Sequence, residues 1–464
     1  MKVKKFVSLF LASAMCLSLV GCSGGDNDTS GAGAAELQEE SNTESVASEA
    51  EPENAEGESE SAGETAASDA EITMWTFLDP ANTSNGRSVA LSQMIEEFEA
   101  ENPGVTVKVE PQDYTTMTAK FLAATATGDA PDIIWCARDE LCGVLDAGAL
   151  EPLENMFLGE WSEEEISDID DSYFRFGERD GQHYVLSLSK NAIVLYYRSD
   201  LLEAAGKEIP TTWEELSDVA AALTGKDETT GIDRYGLGQS FSAVGSDSPL
   251  LANYFIDKQG DLFAEDGTAN WANEIGVEGI DWIVDSIDSG ITPAESVNTS
   301  GEDMLVEFQS GKYGIIVCGA VRVPTVRDAV SYEPETVQIA ETPGGCILDG
   351  WFVGVWSGSE HKQEAGKFLE KMYSPESDKK WVELGGQAPV RKSTLEGMAI
   401  DDSNKYLQVM VDAFEDGWFV SNEMTYSGWK TNLHECIQAV LGNNTDPMEA
   451  LQTAEEQFNS SNSR

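Results

Sequence analysis

The order in which apolar residues change their spacing between residues 72 and 135 constrains the fold most. Ile72-Thr73-Met74-Trp75-Thr76-Phe77 is a short β-rich run, and after a polar turn Ala90, Met94, Ile95 and Phe98 recur at helical spacing. Asn102-Pro103-Gly104 stops that helix. Val105 to Val109 alternates as a strand, Met117, Phe121 and Ala124 mark a second helix face, and Pro131-Asp132-Ile133-Ile134-Trp135 supplies a third strand. The order is βαβαβ, which predicts a mainly parallel sheet with helices on both faces and ligands beyond the carboxyl ends of its strands.

Further along, Tyr184 to Ser187 and Ala192 to Tyr197 read as strands. Thr212-Trp213-Glu214-Glu215 reads as a capping box opening a second α/β region. Gly314 to Val317, Val337 to Ala340 and Phe352 to Val355 add strands. The end is helical: Glu364 to Tyr373, Tyr406 to Phe414, Trp429 to Leu441, and a last helix opened by Asp446-Pro447. Residues 72–464 are long enough for two packed lobes.

The N-terminus is of another kind. Met1-Lys2-Val3-Lys4-Lys5 is basic and Phe6 to Val20 is apolar, the layout of a secretory signal, too short to span a membrane with ease. The run closes on Leu19-Val20-Gly21-Cys22, which resembles the lipobox of bacterial lipoproteins. Residues 1–21 are therefore expected to be a signal peptide, with lipid on Cys22 fixing the chain to the extracellular face of the cell membrane. Ordinary cleavage, leaving Cys22 a free thiol, is the alternative. Residues 23–71 hold fifteen Asp or Glu, no Lys or Arg and almost nothing large and apolar, so they cannot bury enough surface to offset chain entropy. Residues 22–71 are expected to be a disordered tether reaching on the order of 40 Å.

Across the chain 84 Asp and Glu face 28 Lys and Arg, a formal charge of −56, which argues against nucleic acid as a partner. Beyond Cys22 the mature chain keeps Cys136, Cys142, Cys318, Cys346 and Cys436. An odd number cannot all pair within the chain, and their spacing is not that of a zinc site. They are expected to be small buried hydrophobes.

Catalytic signatures are missing: there is no phosphate loop and no His-Glu-x-x-His, and three histidines are available as bases. The one Gly-x-Ser-x-Gly, Gly21 to Gly25, lies at the lipidated cysteine, with no strand or helix to hold a strained nucleophile. Eleven tryptophans are present, many near Asp, Asn or Arg. A pyranose packs its C–H face on aromatic rings and offers paired hydroxyls to carboxylate, amide or guanidinium. Trp213 and Trp282 are expected to be structural.

Several segments together resemble extracellular solute-binding protein family 1, the sugar receptors of ABC importers, which include maltose-binding proteins. They are Ile72 to Phe77, Ala130 to Ile134, Tyr196 to Leu201, Pro210 to Trp213, Gly350-Trp351 to Trp356, and Pro389 to Ser393. The resemblance spans nearly all of 72–464 and rests on motif order. It implies a type II periplasmic-binding-protein-like α/β fold: two lobes joined by crossing hinge strands, with ligand held in the cleft between them. Lobe 1 is placed at about 72–190 and 355–388, and lobe 2 at about 195–348 and 393–464. The crossings fall near Asn191–Leu195, Trp351–Trp356 and Gly385–Lys392.

By the same resemblance Asp79, Asp139, Asn191 and Trp429 stand where maltose-binding members contact sugar. Asn191 replaces a glutamate, and Trp429 matches a stacking ring. A second stacking tryptophan is missing, with Val321 and Arg322 in its place, so maltodextrin is a poor guess. Arg322 is expected to clamp a hydroxyl or a uronate carboxylate, or else to bridge the lobes. Trp351 is a candidate second platform. Asp79 could instead cap a turn, Asp139 could be an early helix acid, and Asn191 and Trp351 could shape the hinge. The expected protein is a monomeric, non-enzymatic receptor without cofactor or metal. It would bind a mono- or oligosaccharide and deliver it to ABC permease subunits, on a cell lacking an outer membrane. A surface carbohydrate-active enzyme and a receptor for a polyol phosphate or peptide are the rivals.

Overall fold

The computed structural model describes residues 69–464 except 139, 170, 189–190, 227–230, 244–245, 247, 402, 421–427 and 463–464. β1 (Ala70–Thr76), β2 (Val105–Pro111) and β3 (Ile133–Ala137) are mutually parallel as the βαβαβ pattern requires. They are linked by helices Gly86–Glu101 and Met117–Thr125. β4 (Glu178–Arg179) and β5 (Gln182–His183) form a small ribbon, followed by β6 (Leu186–Ser187) and the long β7 (Asn191–Arg198). Then come β8 (Gly225–Lys226), β9 (Asp233–Gly238), β10 (Tyr313–Gly319), β11 (Val337–Ala340), β12 (Ile347–Asp349) and β13 (Trp351–Val355).

These strands sort into two larger sheets, one for each α/β lobe. The first has the order β2-β1-β3-β13-β6, with β13 antiparallel to β3. The second runs β11-β7-β10-β9-β8, with β12 also paired to β7. β7 is an unbroken apolar run because both of its faces are buried. Ala192, Val194 and Tyr196 enter a core shared with the first sheet, while Ile193, Leu195 and Tyr197 enter a second core with Trp213, Trp271 and Trp429.

The chain passes between the sheets just before two of the expected crossings, because Asn191–Leu195 lies within β7 and Trp351–Val355 is β13. β6 belongs to the first sheet and β7 to the second, so one passage falls between Ser187 and Asn191. β12 ends at Asp349 in the second sheet and β13 starts at Trp351 in the first, leaving Gly350 alone to turn the chain. Its φ of 147° lies where side chains are disfavoured. Helices Lys362–Met372 and Pro375–Glu383 then pack on helix Gly86–Glu101, tied by Lys371 and Lys380 to Glu97 and Glu101.

One local expectation is half met. Thr212 Oγ1 accepts from Glu215 N–H at 3.2 Å, but the Glu215 carboxylate turns to Thr211, accepting from its N–H and hydroxyl at 2.9 Å each. The reciprocal box forms instead at Ser162 and Glu165. Cys136, Cys142, Cys318, Cys346 and Cys436 form no disulfide among the described residues and are buried, as expected. Burial pushes the Cys346 thiol up to about 11 and the Cys436 thiol up to about 12.

Candidate functional site

The carboxyl end of β1, the passage at Gly350 and the end of β10 converge on one region. Phe77, just past β1, packs its ring 4.7 Å from Trp351 and edge-on to Trp135 at 5.7 Å. Tyr114, 39% exposed beyond β2, meets Trp351 edge-on at 6.4 Å. Phe77, Trp351 and Tyr114 thus form an aromatic wall against which a ring with apolar faces can pack.

Around that wall stand polar groups. Asn191 opens β7 opposite Asp349, and its Oδ1 accepts from Val321 N–H at 3.3 Å. Its Nδ2 has no acceptor among the described residues. Gly319 allows this approach, because a Cβ there would sit 3.3 Å from the Asn191 amide. Asp349 accepts from Gly350 N–H through Oδ1 at 2.8 Å, while its Oδ2 lies 3.3 Å from Lys430 Nζ.

Arg322 follows β10 in a short 3-10 turn and pairs with Glu302 at 2.6 Å. Glu302 lies on helix Gly301–Gln309, which packs on β10, so this bridge stays within the second lobe and does not join the two.

Arg87 completes the region and escaped sequence reasoning. It stands in the first turn of helix Gly86–Glu101, whose N-cap is Asn85 and whose first turn has no acid. A cation there opposes the helix dipole. Its guanidinium lies 5.3 Å from the Phe77 ring centre, a contact worth about 0.5–2 kcal/mol. It has no hydrogen-bond acceptor among the described residues. Burial, and then repulsion from Arg322, push it down to about 10 against the pull of Glu302, which leaves it charged at neutral pH. The available signal was the charge itself, basic where a helix start favours acid. Phe77 and Tyr114 carried no signal beyond a place near strand ends.

The other expected residues lie as follows. Asp79 is exposed and its Oδ1 accepts from Ala81 N–H at 2.9 Å, shaping the turn before Asn85. Asp139 lies outside the described residues. Trp429 opens helix Trp429–Asn443 but is 1% exposed. It packs edge-on to Trp418 at 6.0 Å, with Lys430 Nζ 5.7 Å from its ring centre. Its indole N–H is buried with no described partner. Among the described residues, no group of three or more His, Cys, Asp or Glu could hold a metal ion. Aromatic faces, an amide, a carboxylate and two guanidinium groups suit non-covalent recognition of a small polar solute.

Residues 93–407 match the family model described as bacterial extracellular solute-binding protein. Over 305 residues the chain is 26% identical to a putative binding protein of Brucella abortus, covering 64% of this chain and 71% of that protein. It is 23% identical to the multiple sugar-binding protein of Streptococcus mutans over 376 residues, covering 73% and 80%. Its fold is similar to that of the GacH receptor of Streptomyces glaucescens, solved unliganded and with acarbose, at a TM-score of 0.72 and 22% identity. That match covers 84% of this chain and 98% of the receptor.

Proposed function

Because this chain belongs to the bacterial extracellular solute-binding proteins, we propose that it is the receptor of an ABC importer, holding a carbohydrate between its lobes and delivering it to membrane permease subunits. The observation that carries the sugar reading is the Phe77–Trp351–Tyr114 wall, ringed by Asn191, Asp349 and Arg322 beside Gly350. Such a site gives a pyranose a face to lie on and paired groups for its hydroxyls. Relatives named for multiple sugars and for acarbose support the same class. In this reading Trp351, Asn191, Arg322, Asp79 and Asp139 contact the solute, and Trp429 would join them only once uncovered from Trp418 and Lys430. Capture without covalent change is the proposed role.

The reading extends to the N-terminus. Lipid on Cys22 and the acidic segment that precedes β1, which begins at Ala70 and not at Ile72, would hold the receptor at the extracellular face, so that an effective concentration set by the tether replaces free diffusion.

A thermal-shift screen of mono- and oligosaccharides tests the central claim, because a solute that binds the native state alone raises stability by RT ln(1 + [L]/Kd). The expected result is a rise for at least one sugar, reproduced by quenching of tryptophan fluorescence. Turnover of a sugar without stabilisation would instead support an enzyme, and silence across the panel would remove carbohydrate as the solute class.

A further inference from the structure

The cation pair at the aromatic wall carries an inference that rests on the sugar-receptor reading and deepens it. Arg87 comes from the first lobe and Arg322 from the second, and they are close enough to repel one another. The segment linking them is tight. A Cβ on Gly385 would lie 3.3 Å from Arg87 Cγ, and one on Gly386 would lie 2.2 Å from Pro324 Cγ, two residues past Arg322. Gln387 Nε2 donates to Gly385 O at 2.8 Å and holds that segment in place.

Arg87 thus meets three unfavourable terms: a helix N-terminus, partial burial and a like charge. The described carboxylate acting on it, Glu302, is already hydrogen-bonded to Arg322. The rest of the chain is strongly acidic, so two guanidinium groups within electrostatic reach of one another are not a by-product of composition. Phe77 contacts both Arg87 and Trp351, and so joins the cation pair to the sugar wall.

We propose that the solute is an acidic sugar, whose ring packs on Phe77 and Trp351 while its carboxylate or phosphate is held by Arg87 and Arg322. Guanidinium forks match both anions bidentately, which a hydroxyl cannot exploit to the same degree. Arg322 is paired with Glu302, so Arg87, Arg322 and Glu302 together carry one net positive charge among the described residues, which a bound anion would offset.

The test is calorimetric titration of the protein with glucuronate, galacturonate and their short oligomers in one arm, and glucose 6-phosphate and galactose 6-phosphate in another. Glucose, galactose and their neutral oligomers are the controls. At least one acidic member is expected to bind about tenfold or more tighter than its neutral counterpart, weakening with added salt; the arm that responds identifies carboxylate or phosphate. Arg87→Gln and Arg322→Gln should each erase that preference. Arg87→Gln should also leave the melting temperature of the unliganded protein unchanged or raise it, whereas a purely structural arginine would lower it. Neutral sugars binding as tightly as acidic ones, or acid binding that survives both substitutions, would overturn this inference and leave the sugar receptor standing. Failure of every sugar, neutral and acidic, would overturn both.

Discussion

The tryptophans of the second lobe's body and those at or near the passage between the sheets are built differently. In the body, Trp213 donates to Asp257, Trp271 to the Leu262 carbonyl and Trp282 to Ser217, each at 2.9 Å. Trp351 at the passage, and Trp418 and Trp429 on the side of the second core beside β12, have no acceptor for the indole N–H among the described residues, and Trp429 is buried all the same. An indole with a fixed partner has its polar end satisfied by the fold. One without keeps a donor in reserve, which a packed core normally avoids. Trp213 and Trp282 are therefore structural, as expected, whereas the indole donors near the passage are used by none of the described residues.

The strongest way to break this contrast is to truncate one ring from each group. Trp271→Ala should cost about 3–5 kcal/mol in urea unfolding, the loss of a fully buried indole. Trp351→Ala should cost less than half as much while weakening the solute about tenfold or more; equal destabilisation would make Trp351 ordinary core. A finer probe keeps the ring and removes the donor. Trp213→Phe takes one donor from Asp257, which keeps Lys258, and should cost about 1 kcal/mol, while Trp351→Phe, which takes a donor from no described acceptor, should stay within about 0.5 kcal/mol.

The smallest effect concerns the segment after the last crossing, which is tied down and not held in reserve. Burial opposes the charge of Asp168, but Arg391 Nη1, Ser393 N–H and the Ser393 hydroxyl outweigh it, so the carboxyl sits below its ordinary value. A depressed carboxyl stabilises the fold fully above its unfolded value of about 3.9 and loses that contribution as pH falls through the folded value. Denaturant midpoints of wild type and Asp168→Asn should therefore differ at neutral pH and converge below about pH 4.

The first sheet was legible because β1, β2 and β3 obey period-2 and period-3.6 patterns, and Asn102-Pro103-Gly104 marks a clean stop. The second was legible at β7 and β10, whose apolar runs are long. β9 went unread because Asp233-Arg234-Tyr235-Gly236-Leu237-Gly238 has two glycines and no alternation, and β12 is three residues long. The resemblance supplied Asn191, Trp351 and Arg322 for a region where the fold does gather them. It could not supply Arg87, Phe77 or Tyr114, because their nearness depends on which segments the sheets bring together, and that is set by packing and not by spacing. Nor could it foresee that Trp429 is enclosed by Trp418 and Lys430.

Gly350 has a mechanical consequence. β13 is five residues long, about 16 Å at a strand's rise, so a turn of about 15° at its base carries the far end some 4 Å. Were the lobes to turn about this passage, that torsion would serve as one fulcrum of a lever. Asp349 and Trp351 lie at that fulcrum and keep their mutual positions whatever the setting of the arms, while groups farther out sweep through the full arc. In the proposed reading, a solute beside Gly350 would sit where displacement is least, and the outer rims of the lobes, where another protein could read the angle, would move most.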